Sequence, residues 1–74
     1  MAYLLVDKVM NVDRETRCET FKEAKEKLSE TIDEYYEVGF GACGASIVKV
    51  SDVMYKFYNR VLGYIGIVYI KKVK

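Results

Sequence analysis

Two cysteines and eleven carboxylates are the side chains of this 74-residue chain most able to support catalysis or metal binding, and the chain has no histidine. Histidine is the usual general base, a common metal ligand and the usual activator of a serine or cysteine nucleophile. Cys43 therefore has no histidine to activate it, and two cysteines do not supply the four ligands of a structural zinc site. We predict no catalytic residues, no metal site, no cofactor and no enzymatic activity.

The two cysteines flank a predicted helix on its opposite sides. A disulfide between Cys18 and Cys43 would require both flanking segments to fold back along that helix, whose ends lie about 25 Å apart at 1.5 Å per residue. Two isolated cysteines are also too few for a disulfide framework. The sequence therefore favours reduced, partly buried thiols.

Glycines at positions 39, 41 and 44 match the string G-x-G-x-x-G. In nucleotide-binding folds this string follows a strand and opens a helix, so that phosphate meets the free N–H groups of the helix N-terminus. Here the glycines follow a predicted helix and precede a predicted strand. We therefore predict a helix end and a loop over 39–45 rather than a nucleotide site.

The clearest local signal is the start of a helix. Thr20 and Glu23 have the spacing of a capping box, in which the two side chains each accept a hydrogen bond from a free backbone N–H. Apolar residues then recur at spacings of three and four, and Gly39 stands where a glycine commonly ends a helix. The pattern predicts an amphipathic helix over 21–37.

The segments around this helix are predicted to be strands. Residues 3–9 are rich in Leu and Val, and residues 64–73 have apolar side chains on both faces, which is typical of a central strand. Residues 46–50 are predicted to form a short strand, and 16–19 either a short strand or a loop.

Residues 52–62 fit two patterns. On a helical wheel their apolar side chains fill one half, with Ser51 as the N-cap and Gly63 as the residue that ends the helix. The same segment also alternates as a strand over 52–59, and its Tyr, Phe and Val residues favour strands. We predict the helix and keep the strand as the alternative.

Together these elements predict one α+β domain over residues 1–74. It has two layers, a small three-stranded sheet packed on the helix at 21–37, in the order βαβαβ with the second, short helix at about 52–62. The alternative is βαββ, with 52–59 as a strand. In that alternative one sheet face rich in tyrosine and isoleucine has no helix to cover it, and such a face often meets another chain, so a homodimer stays open.

Charge is distributed unevenly, although the net charge is only +1. Residues 19–37 carry seven acids and three bases, whereas residues 38–74 carry six bases and one acid. In the predicted helix the acids concentrate in the last two turns, where the helix dipole disfavours negative charge, and several of them lie four residues apart, where like charges repel. Local rules broken without compensation often mark a functional surface.

We call these five helical carboxylates the acidic ridge: Glu26, Glu30, Asp33, Glu34 and Glu37. The ridge is predicted to bind a protein partner with a basic surface. Tyr36 is added to this set, because its spacing places it outward and exposed tyrosines are good anchors for protein interfaces.

The basic, tyrosine-rich half of the chain supports an alternative function. Lysines meet phosphates and aromatic rings stack on bases, so this composition suits nucleic acid, although the sequence pI of 7.7 is low for such binders. The candidate residues for this alternative are Lys49, Tyr55, Lys56, Tyr58, Arg60, Lys71 and Lys72.

The leading interpretation is a small non-enzymatic protein-binding module that docks its acidic helix on a basic protein surface. A protein of this size and surface type resembles accessory proteins of phages and mobile elements, including anti-CRISPR inhibitors, which block nucleic-acid-handling complexes. The longest apolar run, residues 61–70, is far short of the roughly 20 residues that a bilayer requires. We therefore expect a cytoplasmic protein without a membrane partner.

Overall fold

The computed structural model of this chain describes residues 2–37 and 45–73. Their elements are, in chain order, β1 (Ala2–Val9), β2 (Arg14–Cys18), α1 (Phe21–Glu37), β3 (Ala45–Ser51), β4 (Met54–Asn59) and β5 (Gly63–Val73). The strands form one antiparallel sheet in the order β2-β1-β5-β4-β3. The last strand is central, as its apolar residues on both faces predict.

The predicted fold is wrong in two respects. The sheet has five strands rather than three, and the second helix over 52–62 does not form, because these residues make β4 and the turn into β5. The alternative of a strand over 52–59 agrees with β4, but the order βαββ still falls short of the five strands observed. Part of the difference is β2, which begins at Arg14, two residues before the segment 16–19 that was predicted to be either a short strand or a loop.

Turn chemistry explains why the second helix was predicted in error. The Ser51 hydroxyl accepts a hydrogen bond from the backbone N–H of Val53, and the Asn59 side-chain oxygen accepts from Val61 and its neighbour Leu62. Gly63 has a φ of 79°, which only glycine adopts without strain. The residue types that cap helices also close hairpins, and here they close two.

The helix α1 has the predicted bounds and the predicted start. The backbone N–H of Glu23 donates to the Thr20 hydroxyl at 3.1 Å. The Glu23 carboxylate in turn accepts from the N–H of Glu19 at 3.2 Å, one residue earlier than in the standard capping box. The predicted loop over 39–45, with its glycines and Cys43, lies outside the described residues except for Ala45, which begins β3.

The core lies between α1 and one face of the sheet. Leu28 and Ile32 of the helix pack with four strand residues, which are Leu5, Val9, Phe57 and Val68. Full burial of an aliphatic or aromatic side chain contributes about 1.5–3 kcal/mol, so this cluster holds the two layers together. Side chains alternate along a strand, so the residues that directly precede and follow a core residue point to the opposite side of the sheet. We call that side the outer face.

Cys18 is a buried, free thiol at the end of β2 and forms no disulfide within the described residues.

Residues 2–37 and 45–73 contain no helix with both the length and the hydrophobicity that crossing a membrane requires.

Candidate protein-docking surface

The apolar stripe of α1 fixes the direction of the acidic ridge. Leu28 is 1% exposed and marks the side of the helix that faces the sheet. At about 100° per residue, every member of the ridge except Glu34 lies within about 40° of the direction opposite Leu28. Glu34 projects sideways, toward β2. The ridge therefore presents four carboxylates on one line, with the fifth on its flank.

The ridge carboxylates are exposed, and they take part in none of the ion pairs formed among the described residues. Those ion pairs are Arg14–Asp7, Arg17–Glu19 and Lys49–Asp52. The last turn of α1 contains no basic residue. The negative charge of the ridge is thus exposed to solvent.

One lysine in the first half of α1, Lys25, points away from the ridge. Lys25 donates a hydrogen bond from its ammonium group to the backbone carbonyl of Asp52, in the turn between β3 and β4. This contact ties the start of the helix to the far side of the sheet. The positive charge of Lys25 is therefore held away from the acidic residues of the last two turns.

Tyr36 lies on the flank of the helix opposite to Glu34 and is 53% exposed. Its neighbour Tyr35 points inward instead, and its ring packs edge-on against Phe57 with centroids 4.8 Å apart. The two tyrosines thus divide between surface and core, as their spacing predicts.

A buried carboxylate fixes the second half of α1 against the sheet. Asp7 is 3% exposed and accepts a hydrogen bond at 2.7 Å from the Tyr35 hydroxyl. Its other oxygen accepts from the Arg14 guanidinium, also at 2.7 Å. A buried charge needs such partners, since an unpaired one would cost several kcal/mol. One side chain of β1 thereby connects α1 and β2.

These contacts raise the pKa of both partners of Asp7, Tyr35 and Arg14. Burial, together with the hydrogen bond to Asp7, raises the pKa of Tyr35 above its ordinary value, so its hydroxyl remains a donor. The hydrogen bond and the charge of Asp7 raise the pKa of Arg14. Arg14 and Tyr35 therefore both keep their protons and donate to Asp7 over the physiological pH range.

An open groove of about 450 Å³ lies beside the cluster, where the helix passes the turn between β1 and β2. Its lining residues are Asn11, Val12, Asp13, Arg14, Glu34 and Tyr35. Two carboxylates line it, and its one base already pairs with Asp7. The groove therefore extends the negative surface of the ridge around the side of the helix.

Sequence reasoning missed Asp7, Arg14 and this groove. A signal for Asp7 was present, because it falls on the same strand face as Leu5 and Val9, where a charged residue must find a partner. The partner Tyr35 is 28 residues away, and no local pattern indicates such a distant contact.

The alternative, nucleic-acid-binding residues divide between the two sides of the sheet. Lys56, Tyr58 and Lys71 lie on the outer face, because each is next in sequence to a residue that faces the helix, either Phe57 or Ile70. The sheet face that packs against α1 carries Lys49, Tyr55 and Lys72. Arg60 lies in the turn between β4 and β5. The structure thus brings three of these seven residues together on one face.

No family model, curated protein or solved structure matches this chain. Within the two described ranges, no group of three or more cysteine or acidic side chains is arranged to hold a metal ion.

Proposed function

We propose that the protein is a non-enzymatic binding module that docks the acidic ridge on the basic surface of a protein partner. The observation that supports it is the ridge itself, four aligned carboxylates that no base among the described residues pairs with. Their mutual repulsion makes these charges unfavourable, and at Glu37 in the last turn the helix dipole adds to it. A cationic partner would remove both penalties on binding.

Protein is favoured as the partner because apolar residues are exposed at the same end of the molecule. The turn between β1 and β2 exposes 63% of Met10, and the turn between β4 and β5 exposes 87% of Val61 and 67% of Leu62. The antiparallel register places both turns at the sheet end that the last turn of α1 approaches. Apolar contacts surrounded by charged groups are the usual composition of a protein interface.

A partner of this kind would present lysines or arginines on an exposed surface. Proteins that handle nucleic acid have such surfaces, because they neutralise phosphates. The proposal therefore extends to inhibition of a nucleic-acid-handling complex in the cytoplasm, by a small protein that occupies its phosphate-binding groove.

The test is affinity capture from the cells that encode the protein, with two charge-matched variants beside the natural chain. The ridge variant carries Glu30→Lys and Glu37→Lys. The control carries Glu15→Lys, on the outer face, and Asp52→Lys, in the turn between β3 and β4, so that both change the net charge by the same amount. We expect one protein to be captured by the natural chain and the control but lost by the ridge variant. Equal capture by all three would contradict the proposal.

A further inference from the structure

The outer face of the sheet carries a second charged surface, opposite in sign to the acidic ridge. Three adjacent rows of cross-strand partners run over this face, each row joining paired residues of neighbouring strands. The rows are Lys56–Ile67–Lys8, Met54–Tyr69–Val6–Glu15 and Lys71–Leu4–Arg17. They contain four bases and one acid. We call the four bases the basic set: Lys8, Arg17, Lys56 and Lys71.

The basic set is available to a ligand. Lys8, Arg17 and Lys71 are exposed, while Lys56 is half-buried in the middle of the face. None of the three lysines forms an ion pair with another described residue. Arg17 pairs with Glu19, but this contact is exposed and long, with 3.9 Å between the Arg17 Nε and a carboxylate oxygen of Glu19. Exposed pairs of this kind contribute little, so the positive charge of the face is largely uncompensated.

Aromatic rings accompany these bases on the same face. Tyr58 and Tyr64 form an edge-to-face pair with centroids 5.9 Å apart, and Tyr64 is 56% exposed. Tyr69 is half-buried five residues further along β5, which corresponds to about 16 Å at 3.3 Å per residue. The face therefore offers two aromatic stations with Lys56 and Lys8 in the row between them.

We propose that the outer face binds single-stranded nucleic acid. Bases would stack on Tyr64 and Tyr69, and the basic set would hold the phosphates. Every base has a π-face, so such a surface needs no particular sequence, and stacking on an aromatic side chain contributes a fewfold to over a hundredfold in affinity per base. This proposal does not rest on the function proposed for the acidic ridge.

Two other occupants, a second copy packed face to face and a nucleic-acid duplex, fit this face less well. A second copy of the chain, packed face to face, would bring the basic set against its own counterpart, where like charges repel. Duplex nucleic acid offers phosphates but keeps its bases stacked inside, so it leaves the tyrosines and the apolar centre of the face unused. A single strand satisfies both the positive charge and the aromatic rings.

Fluorescence anisotropy with labelled 15-nucleotide oligo(dT), oligo(U) and a 15-base-pair duplex tests this proposal on the full chain. We expect both single strands to bind more tightly than the duplex, and the comparison of oligo(dT) with oligo(U) reports any preference for DNA or RNA. With four phosphate contacts, the affinity should fall about 50-fold between 50 and 200 mM NaCl.

Two pairs of variants separate the roles of charge and stacking. Lys8→Glu with Lys71→Glu should weaken binding at least tenfold. The control, Lys22→Glu with Lys27→Glu, makes the same change in net charge on exposed helix positions and should bind within about threefold of the natural chain. Tyr64→Ala should weaken binding about fivefold or more, whereas Tyr64→Phe keeps the ring and should preserve it. Circular dichroism confirms that each variant is folded.

Several results would overturn the proposal. They are no binding at 50 mM NaCl, a duplex that binds as tightly as the single strands, equal losses in the two lysine variants, or a Tyr64→Ala variant that binds like the natural chain. A dimer by light scattering that dissociates on Tyr64→Ala, without oligonucleotide binding, would assign the face to a second copy instead.

Discussion

Reversing the charge of Glu30 should make the protein more stable. Glu30 lies four residues from both Glu26 and Glu34, so it takes part in two repulsive i,i+4 pairs of the acidic ridge. Its i,i+3 neighbours, Lys27 and Asp33, are opposite in charge and offset each other. Each like-charge pair costs about 0.2–0.5 kcal/mol, and each opposite-charge pair gains a similar amount. Glu30→Lys converts both pairs, which gives a stabilisation of about 1 kcal/mol. Glu30→Gln only removes the repulsion and should give about half of that.

Urea unfolding followed by far-UV circular dichroism at pH 7 measures this gain. For a domain of this size 1 kcal/mol corresponds to a rise in melting temperature of roughly 4–8 °C. The effect is electrostatic and exposed, so 1 M NaCl should remove most of it. Glu15→Lys, a reversal on β2 away from the helix, should change stability by less than about 0.5 kcal/mol.

The reasoning would be refuted if Glu30→Lys were neutral or destabilising at low salt. A gain that is unchanged in 1 M NaCl would also refute it, because the gain would then arise from helix propensity or packing rather than charge. A variant that is more stable but binds its partner less well is the expected behaviour of a surface kept for function at the expense of stability.

Three further predictions concern the core. Tyr35→Phe removes the hydroxyl that donates to the buried carboxylate of Asp7, and it should lower the free energy of unfolding by about 1.5–3 kcal/mol in urea at pH 7. Burial raises the pKa of Cys18, so the unfolded chain loses this proton first. Between pH of about 8.5 and about 10, below the range in which Tyr35 adds a slope of the same sign, stability should fall by up to about 1.4 kcal/mol per pH unit, and this fall should be absent in Cys18→Ala under reducing conditions. Gly66→Ala should cost about 1–3 kcal/mol or more by thermal unfolding, because its Cβ would lie 2.5 Å from the backbone oxygen of Lys8.

The helix α1 and the first and last strands in chain order, β1 and β5, could be predicted because their signals are local. The capping box at Thr20 and the apolar spacing that follows it depend only on residues within the helix, and they place α1 with its observed bounds. The same spacing gives the direction of Glu26, Glu30, Asp33 and Glu37, whereas Glu34 was assigned to the ridge although it projects toward β2.

Strand β2 shows where local signals fail. Its residues, Arg14–Cys18, carry four exposed side chains and one buried one, without apolar alternation. What makes this segment a strand is its pairing with β1 and the contact of Arg14 with Asp7, both of which depend on the chain having folded back.

Strand β4 was missed for a different reason. Its apolar residues lie on both sides of the sheet, with Phe57 in the core and Tyr58 on the outer face, so they satisfy a helical period as well as a strand period. Pairing with β3 on one side and β5 on the other decides between the two, and neither pairing is visible in a local window.

The most direct test of the central claim is the affinity of the purified, captured partner for three chains, measured by isothermal titration calorimetry at 100 mM NaCl. These are the natural chain, the variant with Glu30→Lys and Glu37→Lys, and the control with Glu15→Lys and Asp52→Lys. We predict that the ridge variant binds at least tenfold more weakly and that the control stays within about threefold of the natural chain. Equal affinities of the natural chain and the ridge variant would contradict the claim that the acidic ridge is the docking surface.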